Sequence, residues 1–197
     1  RRLYNQLFRG KVGQDKAVVL ITKCYIGIFY EYRLKHFSLK KDNCVIRDCT
    51  KFDFDKIYEV INDAATAYRG VIPGDCWKEP YMPSSELRHE ISAGVQFFGE
   101  ERKGNLIGVM GKQFKGDVML LRHAYVKTAW HQQGVGSKLL CHLLASVEHP
   151  VLIGTWAAAH WAVHFYEKHG FTVLTGARKD DLLKKYLSLI HISEPTR

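Results

Sequence analysis

Proline is scarce in this 197-residue chain: there are five, and three of them fall between residues 73 and 83. That window reads as irregular, while the rest of the chain is free to form uninterrupted helices and strands. The five cysteines, Cys24, Cys44, Cys49, Cys76 and Cys141, contain no C-x-x-C pair. An odd number of thiols without a signal sequence predicts reduced cysteines and a cytoplasmic protein rather than a disulfide framework. Long apolar runs are also missing. The longest, residues 17–30, carries Lys23 and is too short to span a bilayer, and no small-residue cleavage site follows it. No membrane association is expected, and there is no internal repeat or low-complexity tract.

Charge of one sign is in excess, but unevenly. The formal net charge is +9, with ten Lys/Arg against three Asp/Glu over residues 1–43 and eighteen against sixteen over residues 44–186. The main body is therefore nearly balanced, which argues against a nucleic-acid partner there and confines any basic footprint to the extension. Residues 1–43 read either as upstream sequence translated in frame or as an extra strand or hairpin. Residues 187–197 resemble the translation of a transposase adapter used in sequencing libraries and are expected to be a non-native, poorly packed tail. With 46% apolar residues, the stretch 44–186 is long enough to bury one core as a single domain.

Along that stretch, 45–49 reads as a strand, and Thr50 and Asp53 supply capping oxygens for a helix reaching about Arg69. Ile57, Val60, Ile61, Ala64 and Tyr68 recur at three- and four-residue steps and mark its buried face. After the proline-rich loop 70–83, Ser84–Glu86 starts a second helix that ends near Gly94. Strands follow at 95–100, 106–112 and 118–126, joined by turns at Lys103-Gly104-Asn105 and Lys115-Gly116-Asp117. A helix after Gly136 buries Leu139, Leu140, Leu143, Leu144 and Val147. A strand at 150–156, a helix at 160–169 closed by Gly170 and a strand at 171–174 complete the order β-α-α-β-β-β-α-β-α-β. The crossover through the helix after Gly136 makes its two flanking strands parallel.

Two stretches some thirty residues apart carry the chemistry: His131-Gln132-Gln133-Gly134-Val135-Gly136-Ser137 and Phe165-Tyr166-Glu167-Lys168-His169-Gly170-Phe171. The first places a glycine pair at the mouth of an amphipathic helix. The N–H groups of that helix's first turn lack internal partners and favour a bound phosphate. A lone G-x-G is equally an ordinary strand-to-helix turn, and the P-loop spacing is absent. The second stretch ends a helix with a phenol. In this order and at this separation the two resemble the acyl-coenzyme A site of the GNAT-type N-acetyltransferases, and the likeness covers roughly residues 45–175.

That resemblance implies a mixed, mostly antiparallel α/β (α+β) sheet of six to seven strands flanked by about four helices, splayed between its parallel strands at the cofactor site. It implies acetyl-CoA as cosubstrate and no metal. The family motif reads Arg or Gln, two residues, Gly, one residue, Gly or Ala. Here His131 replaces the Arg or Gln, and an imidazole contacts phosphate best when protonated. The pyrophosphate would lie on Gln132, Gln133, Gly134, Val135, Gly136 and Ser137, and the backbone of Tyr125 and Val126 would pair with the pantetheine arm. Tyr166 matches the phenol that protonates the departing thiolate. The family often has Asn about seven residues earlier, where this chain has Ala159, so the hydrogen bond that Asn makes is either missing or supplied by His160.

The base that deprotonates the amine has no fixed position in such proteins. Candidates are Glu79, Asp75, Glu86, Glu100 and His123, with Glu79 and His123 preferred. Asp75, Trp77 and Tyr81 lie in the loop where the acceptor pocket is expected, able to hold an amine by ionic and cation–π contacts or simply to cover the sheet edge. Trp130, Trp156 and Trp161 read as packing residues. His160 and His164, four apart on one helix, have no H-E-x-x-H pattern around them. The expected activity is acetyl transfer from acetyl-CoA to a primary amine on a small molecule or peptide, with a homodimer left open. Two alternatives stand beside it: a catalytically silent acyl-CoA-binding or regulatory module, motivated by His131 and Ala159, and nucleic-acid binding through the basic extension.

Overall fold

A computed structural model describes residues 17–22, 44–145, 147–182 and 185–186. The expectations for the rest of the 1–43 extension and for the 187–197 tail lie outside the described residues. Seven strands form one sheet: β1 (Ala17–Thr22), β2 (Cys44–Asp48), β3 (Gln96–Arg102), β4 (Asn105–Lys115), β5 (Val118–Val126), β6 (Val151–Trp156) and β7 (Thr172–Leu174). Their order across the sheet is β2-β3-β4-β5-β6-β1-β7. Every neighbouring pair is antiparallel except β5–β6, which is parallel as the crossover requires. Ala17–Thr22 lies between β6 and β7, with Ala17 opposite Trp156.

Among the described residues five α-helices accompany the sheet: α1 (Phe54–Ala65), α2 (Ser84–Ser92), α3 (Val135–Leu144), α4 (His160–Lys168) and α5 (Gly176–Leu182). The first four match the sequence pattern. α5 was not expected, because its polar composition gives no apolar period. Among the described residues no helix is long and apolar enough to cross a membrane. α1 ends four residues before Arg69 and continues as a 3-10 turn over Thr66–Tyr68. Its entry is fixed by Thr50 and Asp53, which form a capping box around the preceding turn.

The two faces of the sheet carry separate apolar clusters. Ile57, Val60 and Ile61 of α1 pack with Leu87 of α2 against Phe97, Leu106 and Val109. Leu139, Leu140 and Leu143 of α3 pack with Tyr166 of α4 against Ile107, Met119, Leu121 and Ile153. Gly108 on β4 lets α3 approach: a Cβ there would sit 2.6 Å from Val135 Cγ1 and 3.2 Å from Leu139 Cδ1. Side-chain packing thus sets the distance of the helix from the sheet, and with it the position of the helix mouth.

Candidate active site

The site begins with one extra residue in β5. Val109 pairs with Tyr125 and Gly111 with Arg122, so two residues of β5, His123 and Ala124, face Met110 alone. His123 takes φ +50, the left-handed conformation that such a bulge demands and that a non-glycine residue adopts only at a cost. The bulge bends β5 away from its parallel neighbour. Pairing with β6 covers only Met119–Leu121 against Val151–Ile153. Beyond it the two strands part, leaving a cleft of about 900 Å³ lined on one side by Arg122–Val126 and on the other by Ile153, Gly154 and Thr155.

The parted edge has hydrogen-bonding groups to offer. Lys127 N donates to Ile107 O on β4 at 2.9 Å. Successive N–H groups along a strand alternate sides, so the Val126 N–H points away from β4, toward the cleft. The Val126 carbonyl oxygen accepts from Nε2 of His131 at 2.8 Å, which fixes that nitrogen as the protonated one. His131 therefore ties the turn before α3 to the end of β5.

α3 opens into the cleft. Gly134, at its N-cap, has φ +78, and Gln132 before it has φ +58. The first helical bond runs from Lys138 N to Gly134 O, so the N–H groups of Val135, Gly136 and Ser137 have no intrahelical acceptor. The two glycines serve different ends. Gly134 is required by its backbone conformation, with open space where a Cβ would be, whereas a Cβ on Gly136 would make ordinary contact with the Phe165 ring at 3.5 Å.

The two sequence stretches meet here. Ser137 Oγ lies 3.1 Å from His169 Nε2, and His169 Nδ1 lies 2.7 Å from Phe165 O. A carbonyl can only accept, so Nδ1 carries the proton and, in the neutral ring, Nε2 accepts from the Ser137 hydroxyl. Tyr166, only 6% exposed, sits in the α3 core cluster and also lines the cleft. Burial pushes its phenol pKa well up, with a smaller contribution from Tyr68, so it stays protonated throughout the neutral range.

Of the residues named from sequence, Tyr125, Val126, His131, Gln132, Gly134, Val135, Gly136, Ser137, Tyr166 and His123 all line the cleft. Gln133 does not; it is exposed, and its Nε2 donates to Ala129 O at 3.1 Å. Glu79 also lies outside the lining, on the surface, where both its oxygens accept from Arg69 at 2.7 and 2.8 Å. Glu86 and Glu100 are buried away from it, and Glu100 has Lys138 and Arg102 within 3.4 and 3.3 Å. Asp75 is exposed beside Cys76, while Trp77 and Tyr81 stack behind the cleft wall rather than on it. His160 and His164 are exposed on α4.

Several residues that sequence reasoning missed stand in or beside the cleft. Arg122 and Glu90 form a buried ion pair at 2.7 Å, and His123 Nε2 donates to the same Glu90 oxygen at 3.2 Å. Burial opposes the Glu90 carboxylate, but the His123 hydrogen bond and the charges of His123 and Arg122 outweigh it and hold the carboxyl at about 2. Gln113 completes the cluster, accepting from Arg122 at 3.0 Å and donating to Ala93 O at 2.6 Å. Tyr68, Thr155, Trp161 and Lys168 also line the cleft. Trp161, read from the sequence as a packing residue, is 47% exposed and rests one side of its ring against Tyr68. Its neighbours in sequence gave no hint, because α4 is short and only Tyr166 on it is buried.

A family model described as an acetyltransferase (GNAT) domain matches residues 59–184. The chain belongs to this family. Solved structures agree in fold. The PaiA N-acetyltransferase of Thermoplasma acidophilum, in complex with coenzyme A, superposes with a TM-score of 0.57 at 19% identity, covering 68% of this chain and 94% of that one. The ribosomal-protein-S18-alanine N-acetyltransferase of Escherichia coli gives 0.52 at 20% identity, covering 67% and 79%. A functionally unknown conserved protein from Staphylococcus epidermidis gives 0.56 at 13% identity, and this chain, 80% covered, spans 57% of its length. No curated protein matches the chain.

The residues of the cleft fit a coenzyme A thioester. A first helical turn with open N–H groups suits a pyrophosphate, and a parted strand edge with a free N–H suits an amide-bearing arm. Among the described residues lining the cleft no side chain is acidic; Arg122 is paired with Glu90, and Lys168 offers a basic group to an anionic ligand.

Proposed function

We propose that this protein transfers an acetyl group from acetyl-CoA to a primary amine by direct attack. The observation that carries the reading is the bulge at His123: it parts β5 from β6 at the place where α3 presents its unpaired N–H groups. Phosphates on Val135, Gly136 and Ser137, with the arm along Val126, bring the thioester carbonyl to the parted edge. The amine nitrogen forms a bond to the carbonyl carbon, and the C–S bond breaks. His123 takes the amine's proton, and Glu90 stabilises the imidazolium so formed. The Val126 N–H bears the charge that develops on the carbonyl oxygen, and Tyr166 gives its proton to the departing thiolate. In this reading the base is His123 with Glu90 behind it, whereas Glu79 serves the surface pair with Arg69.

A second reading, binding without transfer, draws on His131, whose ring is engaged with the Val126 carbonyl, and on Ala159, buried where a polar helper is common in the family. Release of free coenzyme A thiol from acetyl-CoA in the presence of an amine panel separates the two. Amine-dependent thiol release supports transfer; tight acetyl-CoA binding with no release on any amine supports the silent module.

A further inference from the structure

Among the described residues lining the cleft there is no aspartate or glutamate. The α1 carboxylates beside it are already engaged, Glu59 by Lys127 at 2.5 Å and Asp63 by the Thr128 N–H at 2.6 Å. Glu90 is enclosed by Arg122 and His123. The cleft instead holds five aromatic rings: Tyr68, Tyr125, Trp161, Phe165 and Tyr166.

These rings are ordered along α4. The Phe165 ring lies near the helix mouth, 3.5 Å from where a Cβ on Gly136 would sit, and Trp161, one turn earlier and about 6 Å along the axis, meets Tyr68 with ring centroids 5.4 Å apart. Tyr68 is held from behind. Its ring stacks on Tyr81 at 5.8 Å with planes 10° apart, Tyr81 packs on Trp77 at 5.6 Å, and the Tyr68 hydroxyl is hydrogen-bonded to Thr155. Trp161 thus stands half-exposed against a wall that is already fixed, which spares the ordering cost of binding a flat ligand there.

We infer that the acceptor is a monoamine carried on an aromatic or apolar body, and that Trp161 and Tyr68 select it. The inference rests on the acyl-transfer reading and narrows its substrate. A polyamine or a lysine-rich peptide brings several positive charges into a cleft whose lining carries Lys168 and, with Arg122 balanced by Glu90, no carboxylate to meet them. A single ammonium is accommodated by ring faces and loses its proton more readily where no carboxylate holds it charged. Its apolar body covers Trp161 and gains from leaving water.

The full chain assayed with acetyl-CoA on 2-phenylethylamine, spermidine and glycine tests this, with acetyl-CoA binding measured calorimetrically on the same samples. The expected result is a kcat/KM for 2-phenylethylamine at least about tenfold above the other two. Trp161→Ala, at a half-exposed position, raises the 2-phenylethylamine KM about fivefold to tenfold, leaves kcat within twofold and leaves the acetyl-CoA Kd unchanged. Spermidine or glycine as the better substrate, or an unchanged KM in Trp161→Ala, overturns the inference. Acetyl-CoA binding with no acetylation of 2-phenylethylamine overturns it and leaves the cosubstrate site standing. Absence of acetyl-CoA binding overturns both.

Discussion

The imidazole of His131 donates from Nε2 to the carbonyl oxygen of Val126 at 2.8 Å, so a single side chain clamps the turn before α3 to the parted end of β5. His131 is exposed, and removing one such bond costs about 1 kcal/mol or less of stability. Its role in the site is geometric. His131→Ala is therefore expected to lower the melting temperature little while weakening acetyl-CoA severalfold, as read by calorimetric Kd; a large stability loss with unchanged Kd contradicts this.

Gly108 makes a prediction of the opposite kind. Its Cβ would meet the branched Val135 side chain at 2.6 Å, and Val135 is the first residue of α3. Gly108→Ala pushes the helix mouth off the sheet and is expected to cost about 1–3 kcal/mol in urea unfolding. The acetyl-CoA KM should rise with it, although Gly108 lies outside the cleft lining.

Tyr166 stays protonated because burial raises its phenol pKa, and its ring fills the core beside Phe165 and Phe171. Tyr166→Phe keeps the ring and removes the proton. A drop in kcat of about a hundredfold or more, with the acetyl-CoA KM nearly unchanged, is the expected outcome. An unchanged kcat would take the acid role away from this residue.

How much of this was legible in the sequence depended on how local the determinant was. The helix faces at Ile57–Ala64 and Leu139–Leu144, the Thr50–Asp53 cap and the parallel β5–β6 pair all follow from periodicity, capping chemistry and crossover length, whereas Val147, read onto the same helix, is buried beyond its end. The bulge at His123 did not, because a one-residue mismatch between strands leaves no mark in either strand alone. Glu90 was hidden for a related reason: its partners, Arg122 and His123, are more than thirty positions away. Loop proximity pointed instead to Glu79, Trp77 and Tyr81, but Arg69 holds Glu79 at the surface and Tyr68 stands between the loop aromatics and Trp161.

Glu90 also sets the acid stability. Its carboxyl is depressed from the ordinary 4.5 to about 2 in the folded protein. A depressed carboxyl contributes stability that is fully present above the unfolded value and is lost as pH falls through the folded one. The loss should therefore run from just above pH 4.5 down to about 2, and amount to roughly 3 kcal/mol from this group. Glu90→Gln removes that dependence and leaves the Arg122 charge buried without its counter-ion, costing about 3–5 kcal/mol at neutral pH. Urea midpoints recorded between pH 7 and pH 3 for both proteins check it; parallel pH profiles contradict it.

The proposed acetyl-CoA site is made by the parted strands and the mouth of α3. The most direct measurement is the thermal stability of the protein with and without acetyl-CoA, repeated for Gly134→Ala. That substitution meets no side chain but forces alanine to φ +78, costing about 1–2 kcal/mol and distorting the N–H groups meant for phosphate. Acetyl-CoA at a hundred times its Kd is expected to stabilise the protein by about 2.7 kcal/mol, and at the same concentration Gly134→Ala should gain much less. No shift in a cooperatively folded protein, or an equal shift in Gly134→Ala, would contradict it.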